Sequence, residues 1–184
     1  MRVRLVIGII GMLALAVSGR SVAQDTPEEF VEHYLGALRA SEWMTVSDMM
    51  HSEVQEEIHR IFQPLLTSEQ GDDLREELLG VRSASAASRL TAQEVLARFL
   101  QYVTLQAGNV FETARIEILG HVEEGDNTAH VLYRMHMTIQ DQPITRIDVM
   151  SLRRDTDGWR GLMRQNLSEF ERLLQQMMEQ GGQP

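Results

Sequence analysis

The sequence predicts an α+β fold: N-terminal helices packed on a curved four-stranded antiparallel sheet, a cone, with an additional C-terminal helix. Three observations predict it. Apolar residues recur at helical spacing through the first half, strict alternation begins near Thr113, and helical spacing returns after Ser168. The alternating stretches are joined by three consecutive short connections, which can link only antiparallel neighbours, so the strands form a meander. Helices on one side of such a sheet make the two layers around one core that a chain of this length needs.

The elements follow in order. Thr26-Pro27-Glu28-Glu29 is a capping box with proline at the first helical position, where its missing N–H costs nothing. Phe30, Val31, Tyr34, Leu35 and Leu38 then share one face of a helix to about Arg39. A short second helix is expected after Thr45, capped by its side chain, with Val46, Met49 and Met50 inward. Val54, Ile58, Ile61, Phe62 and Leu65 keep helical spacing until Pro64 bends or ends that helix, and Asp72 to Leu79 form another, stopped at Gly80. Residues 83–88, all serine and alanine, read as a loop. Thr91-Ala92-Gln93-Glu94 opens a helix with Val95, Leu96, Phe99, Leu100 and Val103 inward, closed by Gly108-Asn109.

In the strand region, Ala114, Ile116 and Ile118 alternate with Arg115 and Glu117. Gly125-Asp126-Asn127 turns the chain, and Ala129, Val131, Tyr133, Met135, Met137 and Ile139 alternate with His130, Leu132, Arg134, His136 and Thr138. Asp141-Gln142-Pro143 makes the next turn before a strand from Ile144 to Arg153, and Thr156-Asp157-Gly158 leads into Trp159 to Met163. Ser168-Glu169-Phe170-Glu171 caps a final helix with Leu167, Phe170, Leu174 and Met177 on a stripe, ending at Gly181-Gly182.

Residues 1–23 read as a secretory signal peptide. Arg2 and Arg4 precede an apolar run from Leu5 to Val17, and Ser21-Val22-Ala23 supplies small residues for a cut. The run of about 13 residues is shorter than the roughly 20 that span a bilayer. Removing this leader takes away three arginines and no acid, so the formal charge moves from −10 to −13. Such a surface repels phosphate backbones and anionic lipid heads, which argues against a nucleic-acid partner. With no cysteine there is no disulfide, thiolate metal site, thiol nucleophile or lipidated anchor. The expectation is an exported product, periplasmic or extracellular, with no stable membrane anchor, a domain over 24–165, and a helix and tail over 166–184.

The candidate chemistry centres on His136 and Asp148. Matching apolar with apolar across the hairpin puts His136 opposite Asp148 and Met137 opposite Ile147, with Arg134 and Arg146 on the same face. A carboxylate-oriented imidazole in a partly dry cone could act as a general base, with Arg134 steering an anionic substrate. The bland alternative is a wet sheet face carrying cross-strand charge pairs. For metals, Glu56-x-x-His59 has di-iron spacing but no second such pair, and His51-Ser52-Glu53 has no distant partners, so no metal and no cofactor is expected. Nine of the eleven methionines lie beyond the leader. They fill a core or line an adaptable pocket, Met135 and Met137 being the first candidates, with Tyr34, Tyr133 and Trp159 beside them.

The opening helix with Phe30-Val31-x-x-Tyr34-Leu35, the short segment Trp43 to His51, the helix from Thr91, the meander and the Asp157-Gly158-Trp159-Arg160 turn together resemble the nuclear transport factor 2-like superfamily, which includes SnoaL-like and ketosteroid-isomerase-like domains. The resemblance spans roughly residues 26–165. It implies a curved sheet wrapped round helices, an apolar pocket, frequent homodimers through the sheet, and diverse functions. Ketosteroid-isomerase-like members use a tyrosine on the first helix and acids in the cone, for which Tyr34 and Asp148 hold comparable places. Two departures stand out: residues 54–80 read as helical where a hairpin is usual, and an extra helix follows Ser168. The functional expectation is a non-catalytic module binding a small apolar molecule or a protein partner. The alternatives are an isomerase, hydratase or cyclase using His136 and Asp148, and an envelope-associated dimer using the last helix.

Overall fold

A computed structural model of the chain describes residues 26–107, 114–139, 142–163 and 167–181. The expected leader, the Gly108-Asn109 helix stop and Asp141 of the second turn lie outside the described residues. The fold is α+β: helices followed by an open four-stranded antiparallel sheet, not closed into a barrel, and a C-terminal helix.

Helix α1 (Pro27–Arg39) starts as its sequence dictates: the Glu29 N–H donates to Thr26 Oγ1 at 3.2 Å, and the Thr26 N–H donates to the Glu29 carboxylate at 3.3 Å. Helix α2 (Trp43–Asp48) begins two residues before Thr45, so Thr45 lies inside it and does not cap it. The start is set instead by the preceding reversal, in which Ser41 takes a left-handed conformation and the Glu42 N–H reaches the Ala37 carbonyl at 2.9 Å.

Helix α3 (Ser52–Thr67) continues past Pro64 for a further turn. A proline so near the C-terminus deletes one bond of the last turn, which packing of the buried Leu65 and Leu66 offsets. Helix α4 (Asp72–Leu79) follows. The serine-alanine stretch is no loop: it forms the one-turn helix α5 (Ala84–Ala87), because Ser83 Oγ caps it by accepting from the Ala86 N–H at 3.2 Å. Helix α6 (Ala92–Ala107) opens with the expected Thr91–Glu94 capping box.

Arg75 fastens this helical half. Its guanidinium is fully buried and donates to four main-chain carbonyls: Nε to Arg82 at 2.9 Å, and Nη1 to Leu65, Ser68 and Gln70 at 2.7 to 2.9 Å. Nη2 pairs with the Asp72 carboxylate. One side chain thereby satisfies the carbonyls that α3 leaves open at its end and ties them to α4 and the segment beyond.

Strands β1 (Arg115–Glu124), β2 (Thr128–Ile139), β3 (Gln142–Asp155) and β4 (Gly158–Leu162) pair in that order. Ala129, Val131 and Leu152 face inward with Trp159 and bury Phe30, Val31 and Leu35 of α1. A second cluster lies among α3, α4 and α6, and Met150 touches both. The outer end of β4 is closed by main-chain bonds to residues 49–51: the His51 N–H donates to Gly161 and the Gly161 N–H to Met49, both at 2.9 Å. Only glycine fits there, since a Cβ at 161 would lie 2.8 Å from Met50 Sδ.

Strand β1 carries a bulge at Leu119, where the register to β2 shifts between Ile118 and Gly120 and Gly120 has φ +136°. The extra residue exchanges the faces of everything beyond it, turning His121 inward, where Nδ1 meets the Glu28 carboxylate of α1. Burial pushes the Glu28 carboxyl up, but the bond and charge of His121 and a bond from its own main chain outweigh it and hold the group below its ordinary value.

The last helix, α7 (Ser168–Gly181), is not a free tail. Phe170 packs against Phe99 and Phe62 with ring centres 4.7 and 5.7 Å away, Leu174 is buried, and Glu171 bonds Arg60 at 3.0 Å. Its apolar stripe is spent on the core of α3 and α6.

Two predictions follow from these contacts. Arg75→Leu should lower unfolding free energy by about 3 kcal/mol or more, because buried carbonyls lose their donors, as read by urea titration. Glu28, with its folded pKa depressed, contributes stability above its unfolded pKa that is lost as pH falls through the folded value. Glu28→Gln should therefore flatten the loss of stability between about pH 5 and pH 3, measured by thermal melts across that range.

Candidate functional site

The hairpin of β2 and β3 decides what any site can contain. Ile139 lies opposite Gln142, so the link is two residues long, and Gln142 and Pro143 belong to the strand rather than to the turn. A link this short fixes the register, and the register it fixes is not the one apolar matching selects. Tyr133 faces Asp148, Met135 faces Arg146, Met137 faces Ile144 and His136 faces Thr145.

His136 and Asp148 consequently stand on opposite faces of the sheet. His136 Nδ1 lies 2.9 Å from Thr145 Oγ1 on the outer face, and Arg134, also outside, pairs with Glu117 at 2.5 Å. Arg146 does not join Arg134: it is on the inner face with Asp148. The geometry needed for a His136–Asp148 general base is thus not formed.

The inner face does gather four of the residues expected to bind a ligand. Tyr34, Tyr133, Met135 and Met137 line a recess of about 450 Å³ between the sheet and α1, α2 and α6. Leu38, Trp43, Leu100 and Val103 complete its apolar wall, and Arg146 and Asp148 stand at one side. Trp159 is elsewhere, in the core beneath α1, where Arg154 lies 5.5 Å over its ring and Nε1 is buried without a hydrogen-bond partner.

Tyr34 reaches the recess because it is one turn from Phe30 on the inward stripe of α1, their rings stacked at 6.4 Å. Its ring keeps some exposed surface, while its hydroxyl lies deep enough that burial, with Tyr133 adding to it, pushes its pKa up to about 12. Burial also raises Tyr133, reinforced by the Asp148 charge and opposed by Arg146. Both phenols are therefore protonated near neutral pH, and neither hydroxyl has a hydrogen-bond partner among the described residues. Arg146 Nε and Asp148 Oδ2 are 3.7 Å apart and partly exposed, a pair whose charges largely cancel at the rim.

Two other grooves are built differently. One of about 720 Å³ beside α2 and α6 presents Glu42, Glu94 and Arg98, and another of about 490 Å³ presents Glu32, His33, Asp48, Asp157 and Arg160. Neither joins apolar walls to unpaired donors. Glu56 and His59 sit on α3 without further ligands, and among the described residues no three potential metal ligands gather. No helix among the described residues is long and apolar enough to cross a membrane.

Comparison with protein-family models, curated proteins and solved structures gave no match to this chain. The site therefore stands on its own residues. Sequence reasoning missed Arg146 as part of the inner wall, for which the two-residue link was the available signal, and Trp43, whose position one residue after Glu42 gave none.

All three tyrosines of the chain are raised in pKa, Tyr34 the furthest. A phenol whose folded pKa is raised contributes stability that is intact below its unfolded pKa, near 10, and is lost as pH climbs through the folded value. Stability should thus fall between about pH 10 and pH 12, and Tyr34→Phe should remove the largest single part of that fall, measured by denaturant midpoints alongside ultraviolet titration of the phenols.

Proposed function

We propose that the chain is an exported, non-catalytic binding module, similar to nuclear transport factor 2-like domains, that holds a small and largely apolar molecule in the inner recess. The observation that carries this reading is the pair of protonated, unpartnered hydroxyls of Tyr34 and Tyr133 set in an apolar wall. A hydroxyl in such a place gains most from a ligand acceptor, while Met135 and Met137 adapt to the shape of the body. The ligand is thus an apolar molecule with one oxygen acceptor, such as a carbonyl, at its inner end.

A second reading is favoured by one observation: Asp148 lies directly opposite Tyr133 on this face. Asp148 would then move a proton on a substrate whose oxygen the two phenols hold, an isomerase-type role in which His136 and Arg134 have no part.

Fluorescence titration with anilinonaphthalene sulfonate tests the recess. Val103→Trp, which fills it, should weaken probe binding at least tenfold with the circular dichroism spectrum unchanged, and unchanged probe affinity in that variant would refute the assignment. Molecules that compete with the probe through an oxygen acceptor should bind about three- to tenfold more weakly to Tyr34→Phe. Deuterium uptake by such a competitor in D2O, abolished by Asp148→Asn, would favour the enzyme reading over the binding one.

A further inference from the structure

The sheet ends on one side in an edge that β4 covers only in part. β4 pairs with Ser151–Asp155 of β3, and among the described residues no strand pairs with the rest of that edge, from Gln142 to Met150. Its side chains alternate: Ile144, Arg146, Asp148 and Met150 inward, Thr145, Ile147 and Val149 outward. Ile147 is 56% exposed, and the Val149 N–H donates to its neighbour's carboxylate, Asp148 Oδ1, at 2.9 Å. A long open edge with exposed apolar side chains is a template for another strand.

From this edge we infer that two copies of the chain pair through β3, antiparallel about Ile147, into one continuous eight-stranded sheet. Three features fix the occupant and the register. The usable stretch is bounded by Pro143, which has no N–H to donate, and by Ser151, where β4 begins, and the midpoint of Ile144–Met150 is Ile147. Pairing about that midpoint sets Arg146 against the partner's Asp148 and Asp148 against the partner's Arg146, opposite charges at directly opposed positions twice over. The same register matches Ile144 with the partner's Met150, Thr145 with the partner's Val149, and Ile147 with itself, so apolar meets apolar on both faces.

Charges on an edge strand ordinarily guard it against pairing. A guard of one sign repels a second copy in every register. Arg146 and Asp148, two apart and opposite in sign, repel unlike edges and mis-registered copies while accepting this single register. The charge pair at the side of the recess is shared between subunits in this arrangement, so the partner reaches the recess wall.

The test uses protein purified after expression of the full chain. Analytical ultracentrifugation should show a dimer, Arg146→Asp should weaken it by roughly ten- to thirtyfold by turning two attractions into repulsions, and the double variant Arg146→Asp with Asp148→Arg should restore it to within about threefold. Because the chain has no cysteine, Ile147→Cys should cross-link to itself under mild oxidation, whereas Thr138→Cys, on β2, should not. A monomer at all concentrations, or a dimer in which the charge swap fails to restore affinity while circular dichroism stays native, would overturn the inference. Equal cross-linking at 138 and 147 would do the same.

Discussion

The pairing register of β2 with β3 is the constraint on which the remaining structure rests. In a strand pair, opposite residues share a face, so a slip by one position would send Tyr133, Met135 and Met137 to the outside and bring Arg134 and His136 into the core. The two-residue link after Ile139 removes that freedom. Once it is set, Ala129 and Val131 lie under Phe30 and Val31, Tyr133 lies beside Tyr34, and Asp148 is delivered to the inner face with Arg146. Packing and candidate chemistry are two readings of one alignment.

The helical half meets a different demand, which is to close a large number of helix ends in little space. Five short or medium helices between residues 43 and 107 create open carbonyls faster than apolar packing can hide them. Arg75 answers much of this alone, because a guanidinium carries five donors in a rigid fork and can be buried when all of them are met. The two clusters are then joined across Met50, Met150 and Gly161, where the sheet edge bonds to the chain before α3. That leaves α1 resting on the sheet and α6 standing off it, and the recess is the gap between them.

Much of the fold was legible because its signals are local. The capping boxes at Thr26 and Thr91, the switch from helical to alternating spacing, and the inward face of β2 all come from contacts within a few residues. The helical reading of residues 54–80, against the habit of the family the chain resembles, also holds. What failed was decided at longer range. Apolar matching could not find the β2–β3 register, since link length outranked it, and so His136 was paired with the wrong strand position. The serine-alanine stretch lacked bulk but not a cap. Of the site, Tyr34, Tyr133, Met135 and Met137 were legible from periodicity alone, whereas the inward placing of Arg146 followed from geometry no pattern encodes.

The bulge in β1 has a bearing on how this chain can change length. A single unpaired position at Leu119 sets the phase of the five residues after it. Deleting that one codon would yield a smoother strand and a worse protein: His121 would swing to solvent and leave Glu28 without its counterpart, while Val122, now 68% exposed, would be driven beneath α1. In this segment, relatives that differ by one inserted or lost amino acid should be aligned by which way their side chains point, not by the shortest gap.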